Sequence, residues 1–348
     1  MVEKRMAIVC FTLQGKQLAE KIHDNLKKPF LDICWNAELI YKPVPFKQWM
    51  KEHFSSLDAL VFIGAMGIVV RDMAPCLKNK LTDPAVIVLD EKGQFVISVL
   101  SGHLGGANAL TKGLAELLDA IPVVTTSSDV NGKIAIDVFA QKNNLVISSM
   151  KQAKLCASKI VSGEPVSFYS DSKIMGRIPS EVSFDRRDAK FHVIVTPYIQ
   201  NLADEILHLI PKAFVLGIGC KKGTPVEIIE ARVKEELNKK CIDIRSIKAM
   251  GTIDLKNEEA GLLDFARKKK IPLYFYSAEE LSELEGDFTP SKFVSQITGI
   301  ENVCERASFM LAKSEGTKKL EECMVLPKSG KDGVTVSIMK IDWSVHFE

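Results

Sequence analysis

His103 lies in the run Ser101-Gly102-His103-Leu104-Gly105-Gly106-Ala107-Asn108, where the β-branched apolar stretch Val96–Leu100 gives way to a helical pattern. A histidine set among glycines in a bend can exchange protons near neutral pH, while Ser101 and Asn108 offer hydrogen bonds to a developing oxyanion. Glycines let backbone approach a ligand closely, and free N–H groups at a helix start favour anionic oxygen. The same histidine could instead tie the loop to a backbone carbonyl, and both readings stand at this point. The run lacks the GxSxG order, so a covalent serine mechanism is not expected.

Three further stretches carry suitable groups. In PVVTTSSDVNGKIAID, a strand ends in hydroxyls, with Thr125, Thr126 and Asp129 where an open α/β sheet would bind a ligand; the same residue types also cap helices. In FIGAMGIVVRDMAP, Gly64 and Gly67 lead into a helix bearing Arg71, whose guanidinium could grip a carboxylate or pair with a neighbouring acid. In GIGCKKGTPVE, Gly217, Gly219, Cys220, Lys221 and Thr224 form an apparent anion cradle. Neither GxGxxG nor GxxxxGK[ST] is present, which disfavours dinucleotide binding and nucleotide hydrolysis.

These groups need strands and helices to hold them. Strands are expected at Ala7–Phe11, Ala59–Ile63, Ala85–Leu89, Phe95–Val99 and Pro122–Thr125, alternating with helices at Lys16–Leu26, Ile68–Lys78 and Ala107–Leu118. The Asp90–Gly93 turn joins two adjacent strands into a hairpin, so the sheet should be mixed. A middle segment follows, with a helix near Met150–Ile160 and strands near Val166–Tyr169 and His192–Thr196. A second α/β unit begins at Ala213–Leu216. Thr224, Pro225 and Glu227 predict a capping box there, with Thr224 as N-cap. Further strands are expected at Ile244–Ala249, Leu273–Phe275 and Val334–Ile338, and helices at Asn257–Lys269 and Val303–Ala312. The fold class is therefore α/β: two modules with mostly parallel or mixed sheets, residues 1–144 and 212–348, joined by a smaller module or linker, 145–211.

A chain of 348 residues exceeds one ordinary core, and 46% hydrophobic with 26% charged residues is a globular composition. A net charge of +2 provides no global field for nucleic acid, although Arg186-Arg187 and Arg267–Lys270 are local basic spots. Eight widely spaced cysteines without a CxxC, and no histidine pair at ligand spacing, fit a reduced cytoplasmic protein with no metal held by the chain. No apolar run is long enough for a bilayer.

Together, GAMGIVVRDMAP, DPAVIVLDEKGQFVISVLSGHLGGANAL, VVTTSSD with AIDVFA, GIGCKKGT, TIDLKNEEAGL, SKFVSQITGI with VCERAS, and VTVSIMK resemble the cobalt-precorrin-5A hydrolases of the anaerobic route to cobalamin (vitamin B12). The resemblance implies opening of a δ-lactone on a cobalt-containing corrin precursor and release of the C20 carbon as acetaldehyde, giving cobalt-precorrin-5B. It implies no separate cofactor, since cobalt arrives within the substrate. His103 or Asp129 would then activate water, with Glu259 and Glu305 as further candidate proton carriers. Substrate binding would fall to Gly64, Gly67, Arg71, Ser101, Gly102, Gly105, Gly106, Asn108, Thr125 and Thr126, together with the GIGCKKGT residues. The expected partner is this small tetrapyrrole, with neither nucleic acid nor membrane; a homodimer or transient contact with other enzymes of the route stays open. A non-catalytic tetrapyrrole-binding or handover protein is the alternative.

Overall fold

A computed structural model describes residues 3–79, 82–103, 105–200 and 204–347. The chain divides into two compact units, Met1–Phe139 and Ala140–Glu348.

The first unit contains β1 (Glu3–Cys10), α1 (Leu13–Asn25), β2 (Cys34–Tyr41), α2 (Phe46–His53), β3 (Ala59–Ile63), α3 (Met66–Met73), β4 (Ala85–Leu89), β5 (Phe95–Leu100), α4 (Ala107–Leu118), β6 (Ile121–Val123), α5 (Ser127–Val130) and the start of α6 (Ile136–Lys142). Its six-stranded sheet has the order β2-β1-β3-β4-β5-β6. Alternate residues of β1 show why both faces are covered. Met6, Ile8 and Cys10 pack with α1 and α4, whereas Ala7 and Val9 pack with α2 and α3. All pairings are parallel except β4–β5, the hairpin read from the Asp90–Gly93 turn. That reversal matters for function: β5 and β6 run together against the other four, so their carboxyl ends emerge at one edge, opposite the carboxyl ends of β1, β3 and β4.

The second unit begins with the remainder of α6 and contains two larger sheets. The middle segment contributes β7 (Val146–Ile147), α7 (Met150–Val161), β8 (Val166–Ser170), β9 (Ile174–Gly176), β10 (Val182–Ser183), β11 (Phe191–Val195) and β12 (Ile206–Ile210). Its sheet order is β10-β8-β11-β12-β7, with β7 alone antiparallel. The rest holds β13 (Phe214–Cys220), α8 (Val226–Lys239), β14 (Ile247–Ile253), α9 (Ala260–Lys269), β15 (Leu273–Tyr276), α10 (Ala278–Ser282), α11 (Lys292–Thr298), α12 (Cys304–Ser314), α13 (Leu320–Cys323), β16 (Met324–Lys331), β17 (Val334–Lys340) and β18 (Val345–Phe347). Here the order is β15-β14-β13-β17-β16, mixed because β17 runs against both neighbours, while β18 pairs with β9. No helix among the described residues is long and apolar enough to cross a membrane.

The predicted capping box at α8 does not form. Thr224 Oγ1 instead donates to Lys221 O at 2.8 Å, and Pro225, extended at φ −61° and ψ 147°, takes the N-cap position without a side-chain cap. The hydroxyl closes the preceding turn, where it has an acceptor three residues back, so the helix begins one residue later than expected. The basic run at the end of α9 is paired on the surface: Arg267 with Asp264, and Lys268 and Lys269 with Glu230.

Candidate active site

The shared direction of β5 and β6 brings the bend after β5 beside the connection after β6. His103, from the first, places Nε2 3.1 Å from Asp129 Oδ2, from the second. On the ring's other side, Nδ1 lies 3.4 Å from Asp137 Oδ1, in the first turn of α6. An imidazole with a carboxylate at each nitrogen is stabilised as its cation. The hydrogen bond that the protonated ring donates to Asp137 chiefly raises the His103 pKa; partial burial opposes it, and Asp129 adds to the rise.

Asp129 is the hub of this cluster. Burial alone would raise its pKa, but Lys112 and Thr126, with His103 behind them, outweigh it and hold the carboxyl at about 2. Lys112 Nζ donates to Oδ1 at 2.9 Å, while Oδ2 accepts from Thr126 Oγ1 at 2.9 Å and from Asn108 Nδ2 at 2.9 Å. Asn108 is buried and fully engaged: Oδ1 accepts from Ser98 Oγ at 2.7 Å, and Nδ2 also donates to Thr126 Oγ1 at 2.7 Å. Asn108 therefore positions Asp129 and does not supply a ready oxyanion donor. Thr125 is exposed on the same connection.

The glycines of the bend serve internal packing. A Cβ on Gly102 would stand 2.7 Å from Asn108 Oδ1, and one on Gly105 would stand 2.4 Å from Ser101 Cβ. Gly106, at φ +86°, is the left-handed N-cap of α4. Ser101 itself turns at φ +56° and donates Oγ to Asp83 O at 2.9 Å. Three main-chain donors at the helix start are already used: Gly106 N binds His103 O at 2.9 Å, Ala107 N binds Ser101 O at 3.2 Å and Asn108 N binds Gly102 O at 2.9 Å.

Other candidates lie elsewhere. Gly64 N donates to Leu89 O at the carboxyl ends of β3 and β4, so Gly64 occupies the edge opposite the bend that carries His103, and α3, which holds Gly67 and exposed Arg71, starts from that edge. In the second unit, Gly217 packs against α12, since a Cβ there would meet Cys304 O at 1.7 Å, and Gly219 packs against Thr335. Lys221 N donates to Gly333 O, and Gly223 N donates to Glu259 Oε1. The apparent anion cradle is therefore occupied by the chain's own carboxylate, which Lys256 Nζ also contacts at 3.1 Å. Burial raises the Glu259 pKa, but the Gly223 and Lys256 donors outweigh it and lower the value. Burial raises the Cys220 thiol, and Lys256 opposes that only in part.

Glu305 is buried on α12 and accepts from Thr289 N at 2.7 Å, Thr289 Oγ1 at 2.8 Å, Asn302 Nδ2 at 2.8 Å and Lys328 N. Glu259 and Glu305 thus act as internal tethers. Two site residues escaped the sequence reading. Lys112 follows Asn108 by four residues and shares its helix face, a spacing that could have found it. Asp137 follows Asp129 by eight residues in the same polar-to-helical stretch.

Family models match in chain order: the Cobalamin synthesis G N-terminal model over residues 48–129, the Cobalamin biosynthesis central region over 134–211 and the Cobalamin synthesis G C-terminus over 214–339. A cobalt-precorrin-5A hydrolase of Salmonella typhimurium is 34% identical over 330 residues, covering 89% of this chain and 92% of its own. The chain belongs to the cobalt-precorrin-5A hydrolase family. A second such hydrolase, of Priestia megaterium, is 34% identical over 83% of this chain and 80% of its own. A "Probable cobalt-precorrin-5A hydrolase" of Methanocaldococcus jannaschii is 31% identical over 95% and 97%. All three family models are represented, so the hydrolase family resemblance extends through the middle segment as well as both flanking modules.

Proposed function

We propose that this chain is a cytoplasmic cobalt-precorrin-5A hydrolase, opening the substrate's δ-lactone and releasing acetaldehyde to give cobalt-precorrin-5B. Family membership supports the reaction, and the observation that supports the site is His103 held between Asp129 and Asp137. Cobalt enters as part of the substrate, and no separate cofactor is invoked.

In this reading Asp129, kept ionised, fixes the proton on Nε2 and leaves Nδ1 as the base. The longer Nδ1–Asp137 approach is the one that water displaces. His103 takes a proton from that water as its oxygen adds to the lactone carbonyl. The ring C–O bond then breaks, leaving a carboxylate on the corrin precursor and a 1-hydroxyethyl group made of C20 and its methyl, still bonded to the macrocycle through C20. Loss of the hydroxyl proton and cleavage of the carbon–carbon bond follow. The electron pair passes into the macrocycle, which takes up a proton, and acetaldehyde departs. The direct test is anaerobic incubation with cobalt-precorrin-5A and measurement of acetaldehyde. Binding without aldehyde would make the chain a carrier and overturn the enzymatic reading.

A further inference from the structure

The middle sheet reverses its winding between β8 and β11: the connection leaving β8 leads towards β10 on one side, and that leaving β11 leads to β12 on the other. The carboxyl ends of two such parallel strands form a crevice where open α/β sheets bind ligands. Here that crevice is a cavity of about 540 Å³, within the range of small-molecule sites. Tyr169 and Ile194 line it from adjacent strands, Tyr198 comes from the chain after β11, and Arg186 and Lys340 contribute the cations.

Its donors define what it can take. Asp171 N is bound to Val195 O at 3.1 Å, Ser172 N to Ser170 Oγ at 3.1 Å and Tyr198 N to Thr196 Oγ1 at 3.4 Å, while Pro197 has no N–H. These three N–H groups are therefore spent and do not cradle a phosphate, and the lining carboxylate of Asp171, held by Thr196, would oppose a dense anion. Two phenols and an isoleucine suit a broad conjugated or apolar body, and exposed Arg186 and Lys340 suit carboxylates carried on flexible arms. The Tyr198 ring is fixed edge-on to Phe214 at 5.9 Å, so that wall is preformed.

We propose that this cavity binds the carboxylate-bearing edge of a tetrapyrrole, giving the middle segment a recognition role separate from the chemistry at His103. The inference rests on the functional reading for its ligand class, but its test does not require catalysis. Uroporphyrin I, an octacarboxylated tetrapyrrole, serves as the probe, with binding to the full chain followed by porphyrin fluorescence. Wild type should bind it more weakly as salt rises. The R186A/K340A variant alters only exposed side chains and should keep the wild-type unfolding midpoint while weakening binding at least about tenfold. ATP at equal concentration should not displace the porphyrin. No uroporphyrin binding by wild type, an unchanged affinity in R186A/K340A, or displacement by ATP would overturn the inference. Failure of wild type to release acetaldehyde would instead overturn the functional reading and leave the binding result intact.

Discussion

His103 Nε2 and Asp129 Oδ2 stand 3.1 Å apart although 26 residues separate them in the chain. The antiparallel β4–β5 hairpin creates this meeting, because it turns β5 and β6 together and delivers both following loops to one edge. Substituting H103A should reduce acetaldehyde release about 10²–10⁴-fold, the usual contribution of a positioned general base. Its unfolding midpoint should stay close to wild type because the ring is only partly buried. Single-turnover aldehyde release at saturating substrate tests this; full turnover would remove His103 from the mechanism.

The Asp137 carboxylate is the largest influence raising the His103 pKa above its ordinary 6.5. A base must be neutral, so activity should rise with pH through this elevated value. In D137N the acid limb of the kcat/KM profile should move down, towards about 6.5. A limb that stays in place, or moves up, would contradict the assigned role. The comparison separates a charge effect from simple loss of packing, which would lower the plateau without moving the limb.

Depressing the Asp129 carboxyl from 3.8 to about 2 corresponds to stability of about 2 kcal/mol at neutral pH. The sign follows from the lowered folded-state value: the contribution is present above about pH 4 and is lost as pH falls towards 2. Denaturant unfolding of wild type and D129N should therefore differ at pH 7 and converge near pH 2. A gap that persists at pH 2 would place the lost stability in packing and not in this charge.

The buried strands were the most legible part of the fold. β3 and β4 lie at their expected residues because both are buried along their entire length and read as continuous apolar runs. β2 escaped notice because CWNAELIY is an edge strand with largely half-exposed residues, so its alternation is weak. The site was legible to the extent that strand ends announce loops, which marked His103 and Asp129. Carboxylate roles were not legible: a sequence displays Glu259 and Glu305 as candidate acids but does not display the donors that already surround them. Likewise, glycines suggest close approach without saying whether a ligand or the chain itself approaches, and Gly102 and Gly105 are crowded by their own loop.

Glu305 provides the sharpest contrast between tether and proton carrier. E305A would strand buried donors from Thr289, Asn302 and Lys328 at once, costing more than about 3 kcal/mol. The measurable outcome is a lower urea midpoint with an unchanged acetaldehyde rate per folded molecule. A variant that remains as stable as wild type but loses turnover would return Glu305 to the list of proton carriers.

Gly67 and Gly217 look alike in sequence, each in a glycine pair at a strand-to-helix junction, but their surroundings differ. A Cβ at Gly217 would lie 1.7 Å from the carbonyl oxygen of Cys304, forcing β13 and α12 apart. Gly67 lies within α3 and has nothing within 4 Å of an added Cβ. G217A should therefore destabilise the second unit by about 3 kcal/mol or more, since neither backbone can yield without disturbing the buried helix–sheet contact. G67A should be neutral or stabilise the first unit by up to about 1 kcal/mol, by improving helix propensity and restricting the unfolded chain. Thermal unfolding separates the two. Loss of turnover in a G67A protein of full stability would instead mean that substrate backs directly onto that glycine, bringing the α3 edge into the binding surface although it lies opposite the bend that carries His103.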